Sequence, residues 1–391
     1  MAVQLTYNPF LPEVRADPYP TYQALREADP VHRSPFLPMW VLTRYEHVAL
    51  VLKDASLSAD RTRFEGFDPP EDFEVHQSML TLDPPQHTRL RGLVNRAFTP
   101  RTVERLKPRI EALVERILDG AERRGSIELV SELAYPLPVT VIAEMLGVPA
   151  EDWPRFREWS RVLAASLDPL MGRQDAAIDD YVAARNALAS YLSEVVAERR
   201  LEPRDDLMSD LLAVGELDSR ELIVMLNLLL VAGHETTVNL IGNGTLALLR
   251  HPEQMARLRD QPDLLEPAVE ELLRWDSPVQ LTARIATADF ELGGKPICKG
   301  ELLMTLLGAA NRDPGQFPDP DRLDIGRSPN HHLAFGRGIH FCLGAPLARL
   351  EAQIAIGSLV RRFPALRLAG DPELSPTVTL RGLRALPLAL R

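Results

Sequence analysis

The chain has 391 residues, 45% of them apolar and 25% charged, an ordinary globular usage in a length that admits one large domain or several average ones. A net charge of −11 and a pI near 5.4 exclude a general nucleic-acid or anionic-membrane binder, because long-range repulsion opposes those encounters. Cys298 and Cys342 are too few for a disulfide scaffold or a four-cysteine metal site and suit a reducing cytoplasm.

In chain order, residues 1–12 lack the basic start and apolar run of a secretory signal, and residues 1–16 are expected to form an extended N-terminal segment. Apolar residues recurring three and four apart predict helices over 18–28, 45–54, 100–124 and 175–200. Runs of β-branched and apolar residues predict short strands at 39–43, 281–286, 290–292 and 302–306. Residues 55–86 and the proline-rich 308–333 read as irregular, and irregular segments this long in a compact protein are usually functional loops. No Gly/Ser linker, charge block or internal repeat divides the chain, so one α-rich domain with a smaller β portion is expected over 1–391. The most apolar stretch, 222–232, is far shorter than the ~20 residues that cross a bilayer and contains Asn227, so it reads as part of a core helix.

That stretch opens the longest predicted helix, 219–251, which is free of proline and preceded by the cap-like Asp218, with Glu221 in its first turn. Its first half is apolar on every face, the pattern of a helix running through a core. Polarity then enters at Ala232-Gly233-His234-Glu235-Thr236-Thr237. Ala232 and Thr236 share a face, with Glu235 beside them. Gly233 costs about 1 kcal/mol relative to alanine inside a helix, which calls for a packing or a ligand-approach reason. The pattern alone leaves two readings open: a threonine bonded back to its own helix beside a partly exposed glutamate, or an acid–alcohol pair that moves protons.

The second constellation is Phe335-Gly336-Arg337-Gly338-Ile339-His340-Phe341-Cys342-Leu343-Gly344, followed by a helical stretch over 345–362. Two glycines before a cysteine permit a tight loop whose amides approach sulfur. A cysteine ahead of a helix N-terminus is favoured as thiolate. With no second cysteine nearby, Cys342 suits single axial ligation of haem iron, or a nucleophile. Cys298, isolated in Pro296-Ile297-Cys298-Lys299-Gly300, reads as structural.

Residues 335–344 resemble the haem-binding motif of the cytochrome P450 superfamily, and 232–237 resembles its oxygen-activating helix. Glu271-Leu272-Leu273-Arg274 is similar to its Glu-x-x-Arg element. The motif order is the family's, from about residue 17 to the end. The resemblance implies a mainly α fold with a minor β region, with haem b (iron protoporphyrin IX) buried between the long central helix and the Cys-loop helix. It makes Cys342 the iron ligand, and Thr236 and Glu235 the pair that holds an ordered water and relays protons during dioxygen cleavage. Ala232 and Gly233 would let the helix pass close to the haem face. His87, Arg91, Arg284 and His340 would bind the propionates, while Phe98, Ala334, Phe335, Gly336 and Gly344 would contact the porphyrin. Glu271 and Arg274 would pair with Arg322 in a structural network. Leu323, where an aromatic residue is common, and Cys298, where proline is common, depart from the family pattern without touching this chemistry.

The activity so implied is insertion of one oxygen atom of dioxygen into a hydrophobic small molecule by a cytoplasmic monomer. The chain carries no flavin or iron–sulfur motif, so electrons would come from a ferredoxin or flavodoxin with its reductase, docking near Cys342, where Arg337, Arg349 or Arg96 would form a local basic patch. Substrate would face residues within 64–80 and 163–170, Leu229, Val279, Leu281 and 378–380. The alternatives are a peroxygenase on the same scaffold and a non-catalytic haem sensor.

Overall fold

The computed structural model describes residues 7–35, 38–66, 77–95, 98–165 and 175–391. Helix dominates it, with four small sheets. The chain clusters into two compact units, one built of residues 1–87, 263–342 and 374–381, the other of 88–262, 343–373 and 382–391.

The first unit carries the main sheet, four strands in the spatial order Val31–Arg33, Met39–Leu42, Leu302–Leu306, Leu281–Ile285. Its middle pair is parallel, with Trp40 opposite Leu303, and the outer pairs are antiparallel. Met39–Leu42 is buried along its whole length, as a central strand with both faces covered requires. Helix Tyr45–Lys53 packs Val48, Val51 and Leu52 into the same cluster as Trp40, Leu42 and Leu303. Strand Lys295–Ile297, not predicted, pairs with Phe290–Leu292 across Gly293 and Gly294, both at positive φ. The expected extended N-terminal segment is corrected in part, since Pro12–Ala16 is a short helix. Pro12 supplies a preset φ at its start, Glu13 lies in the first turn and Arg15 in the last.

The second unit is a helical bundle around Ser219–Arg250, against which Pro136–Leu146, Trp153–Ala165, Asp175–Leu201 and Ala345–Arg362 pack. A capping box starts the central helix: Glu221 N donates to Asp218 Oδ1 at 2.7 Å, and Asp218 N to Glu221 Oε2 at 3.3 Å. Pro252 ends it by disfavouring helical backbone at His251. By length and composition alone this helix is apolar enough to cross a membrane, more than its short apolar run predicts. Its fully buried part is nonetheless the second half, where every residue from 237 to 248 is inside, Asn239, Asn243 and Thr245 included. Leu383 packs over Gly242, where a Cβ would stand in ordinary van der Waals contact, 3.7 Å from its Cδ1.

Helix Pro100–Arg124 matches its prediction, capped by the Thr99 side chain on Thr102 N and closed by Gly125 at φ 77°. The neighbouring π-turn, Val130–Ala134, carries no periodic signal that would reveal it.

Candidate active site

The Cys342 loop belongs to the first unit and is fixed through its backbone. Cys342 N donates to Phe335 O at 2.9 Å, Gly336 N to Leu333 O at 2.8 Å, and Phe341 N to Gly338 O at 3.1 Å. Leu333 N in turn donates to Asn311 Oδ1 at 2.7 Å, and Phe335 meets Phe341 edge to face. Gly336 and Gly338 both lie at positive φ (70° and 75°), which an L side chain resists. At Gly338 a Cβ would also come 2.5 Å from the Leu52 carbonyl oxygen. This loop therefore requires its glycines. Cys342 is half-buried and in no disulfide, three residues before the helix Ala345–Arg362, whose N-cap is Gly344.

Beside the loop the first unit gathers cationic and imidazole groups. His87, buried on helix Gln86–Asn95, meets His340 of the short turn Gly338–His340 with ring centroids 4.3 Å apart and planes tilted by 53°. Arg284, on strand Leu281–Ile285, is 6% exposed, and its guanidinium donates to the Ala283 carbonyl at 2.8 Å. Among the described residues no carboxylate forms an ion pair with it. Burial pushes its pKa down to about 10, with Asp83 opposing the shift. Asp83 itself accepts from Ser58 Oγ and Ala59 N, and its carbonyl accepts from His87 N. A buried guanidinium without a carboxylate partner is costly, and an anion beside it would relieve that cost.

The oxygen-activating motif lies in the second unit. Thr236 Oγ1 donates to Ala232 O at 3.1 Å, so the helix back-bond of the first reading is present. It leaves the second reading intact, since a hydroxyl that donates once still has lone pairs with which to accept. Ala232 is exposed and Glu235 one-fifth exposed. The cause of Gly233 is packing, because a Cβ there would lie 3.0 Å from Ile142 Cγ1. Arg91, half-buried, donates to Asn95 Oδ1, and Phe98 is half-buried; both belong to this unit, as does Gly344. Ala334 is buried and Phe335 half-buried in the first.

The structural network departs from prediction. Arg274 binds Glu271 through two bonds, at 2.7 and 2.9 Å. The second guanidinium on Glu271 is Arg327, whose Nε lies 3.1 Å from Oε2 and 3.2 Å from Oε1. Arg322 is exposed and offers its carbonyl, which accepts from Arg274 and Arg327. The segment turns at Asp319, φ 46°, and the side chain that reaches inward is Arg327, five residues after Arg322. Arg96 and residues 67–76 and 166–170 of the expected substrate stretches lie outside the described residues.

Two residues near the motif, His234 and Glu351, were missed by sequence reasoning. Glu351, 1% exposed on Ala345–Arg362, is held well above the usual carboxylate range by burial, opposed by the Thr237 hydroxyl; neither oxygen completes a hydrogen bond of normal geometry among the described residues. Its pattern signal is a charge on the helix face that it shares with the buried Leu347 and Ala355. A carboxyl whose folded pKa is raised binds its proton more tightly folded than unfolded, so its support for the fold falls as pH rises above the unfolded value. Glu351→Gln should therefore gain stability relative to the parent as pH rises above the carboxyl's unfolded value. Urea-unfolding midpoints measure this, and parallel pH profiles would refute it.

The family model for Cytochrome P450 matches residues 32–379. The chain belongs to the cytochrome P450 family. This P450 is 44% identical over 372 residues to Cytochrome P450 CYP107DY1 of Priestia megaterium, covering 90% of this chain and 89% of that one. It is 46% identical over 387 residues to the Vitamin D(3) 25-hydroxylase of Pseudonocardia autotrophica, covering 96% and 94%. The crystal structure of P450BioI in complex with hexadec-9Z-enoic acid ligated Acyl Carrier Protein superposes with a TM-score of 0.92 at 42% identity, covering 97% of this chain and 100% of that chain. This P450 is accordingly an oxidoreductase of the monooxygenase class with haem iron as its cofactor. Its residues fit that group: a thiol in a glycine-shaped loop, and a buried Arg284 suited to a propionate.

Proposed function

We propose that this P450 uses haem b to insert one oxygen atom into a hydrophobic small molecule, as a single-domain cytoplasmic monomer, with electrons from a separate ferredoxin or flavodoxin and its reductase. The observation that carries the reading is the Cys342 loop, a cysteine outside any disulfide on a backbone-bonded turn that only glycine fits at two positions. Cys342 would ligate the iron. Arg284, His87, Arg91 and His340 would neutralise or hydrogen-bond the propionates, and Phe98, Ala232, Gly233, Ala334, Phe335, Gly336 and Gly344 would border the ring. Bound haem supplies the iron that takes dioxygen and two electrons, and cysteine ligation favours O–O cleavage, as is general for P450s.

The remaining work falls to two side chains. Thr236, its proton engaged by Ala232 O, accepts a hydrogen bond from an ordered water and holds it in place. Glu235, one-fifth exposed, takes protons from solvent and passes them on. Leu229, Leu281 and Leu380 are buried and apolar, which supports a hydrophobic substrate. The vitamin D(3) for which one relative is named and the hexadec-9Z-enoic acid in the P450BioI complex agree with it. Arg337, exposed beside the exposed Phe341 and Ile339, supports an acidic electron donor docking at the Cys342 loop.

Reconstitution with a ferredoxin, its reductase and NADPH tests the reading. Thr236→Ala should keep NADPH oxidation while lowering the ratio of product to hydrogen peroxide about tenfold or more. An enzyme that forms product from peroxide alone, with coupling indifferent to Thr236, would be a peroxygenase instead.

A further inference from the structure

His234 lies one residue before Glu235 and is 1% exposed, too deep to be a solvated neighbour of the motif. Its Nδ1 stands 2.7 Å from the Leu230 carbonyl oxygen. A carbonyl can only accept, so Nδ1 carries the hydrogen, and Nε2 is the ring position left to interact with other groups. Nε2 faces two of them: Ser160 Oγ at 2.5 Å and Glu235 Oε1 at 3.5 Å. Ser160, on Trp153–Ala165, is also 1% exposed, and the Tyr135 ring meets the imidazole edge-on at 5.6 Å. Ile142 packs against Gly233 on the same turn. The imidazole is thus held from three sides, and the carboxyl of Glu235 rests against it.

We propose that His234 is a positioning residue for the proton relay: its Nε2, held by Ser160, docks the Glu235 carboxyl and fixes the orientation from which Glu235 serves Thr236. The inference rests on the reading of Glu235 as the relay. Neighbouring residues on a helix point about 100° apart, so a free Glu235 samples many directions, most of them away from Thr236. Docking on a rigid imidazole removes that freedom. When Nε2 carries a hydrogen the ring is cationic and attracts the Glu235 carboxylate 3.5 Å away, and when it does not, the Ser160 hydroxyl donates to Nε2 and the ring stays in place. Docking a carboxylate therefore uses the charged ring, and the two opposite charges compensate each other in a buried place.

The test is a double-mutant cycle between His234→Leu and Glu235→Gln in the haem-loaded enzyme, turned over with plant ferredoxin, its reductase and NADPH without added substrate. The readout is the part of NADPH oxidation not recovered as hydrogen peroxide. His234→Leu should lower it about two- to tenfold, the range of one positioning hydrogen bond, and should have no further effect in the Glu235→Gln background. His234→Gln, which keeps a polar group near the Nε2 position, should restore most of the loss. If the leucine variant does not retain haem, His234→Asn, which preserves the Leu230 bond but is too short for Glu235, replaces it in the cycle. A second readout is independent of turnover. In the 15N spectrum of the reduced, carbon-monoxide-bound enzyme, Glu235→Gln should move the Nε2 signal of the one histidine that His234→Gln removes. An equal loss from His234→Leu in both backgrounds would make His234 merely structural and overturn the proposal. No loss from His234→Leu, with Glu235→Gln still impaired, would overturn it while leaving the relay in place. An unimpaired Glu235→Gln would remove the relay and the proposal together.

Discussion

Glu271→Leu should destabilise the protein by about 3–5 kcal/mol and strip its haem, because it leaves two buried guanidiniums without their shared carboxylate. Glu271 and Arg274 are wholly buried. The carboxylate also accepts from Asp324 N at 2.9 Å and from Asn330 Nδ2 at 3.2 Å. The surplus hydrogens of the two arginines are spent on carbonyls: Arg274 donates to Asn311 O and Pro320 O, and Arg327 to Pro318 O and Asp319 O. These bonds shape the segment that leads into the Cys342 loop, and Asn311 also holds Leu333 N at the loop's start. Arg327→Ala should cost less, about 1.5–3 kcal/mol, since the Glu271–Arg274 pair stays neutral and bonded while the charged hydrogen bonds of Arg327 are lost. Arg322→Ala should stay within about 0.5 kcal/mol of the parent, as exposed substitutions do. Urea unfolding and haem content of the three variants decide the order. A severe Arg322→Ala beside a mild Arg327→Ala would contradict this network.

Glu235→Gln should lower turnover by about 10²–10⁴-fold, the usual contribution of a positioned acid–base group. Glutamine keeps the size and the contact with His234 but cannot carry a proton. The carbon-monoxide spectrum should be unchanged, because Cys342 is untouched. The solvent isotope effect on NADPH oxidation should rise as proton delivery becomes limiting. A loss below about threefold would place proton delivery on another group.

Much of the helical frame could be read from the sequence wherever a cap and a periodic face coincide. Thr99-Pro100 and Gly125 bound one helix, and Asp218 with Glu221 begins the central one. The Cys342 loop was legible for a different reason, since glycines at fixed offsets from a cysteine record backbone constraints directly. Arg327 was not legible. The proline-rich segment offers Arg322 and Arg327 five residues apart, and a chain without periodic structure gives no rule for which side chain turns inward. His234 was passed over because Glu235 and Thr236 explain the motif without it; its meaning depends on Ser160, a partner 74 residues away. The deeper burial of the polar half of the central helix was unreadable too, as hydropathy points to the apolar first half instead.

The central claim is that Cys342 is the ligand of a haem iron. The most direct measurement is the carbon-monoxide difference spectrum of the dithionite-reduced protein, beside that of Cys342→Ala. A strongly red-shifted Soret band in the parent that disappears in the variant is the predicted result. A band typical of histidine-ligated haem in the fresh parent protein, or the same red-shifted band in both proteins, would contradict it.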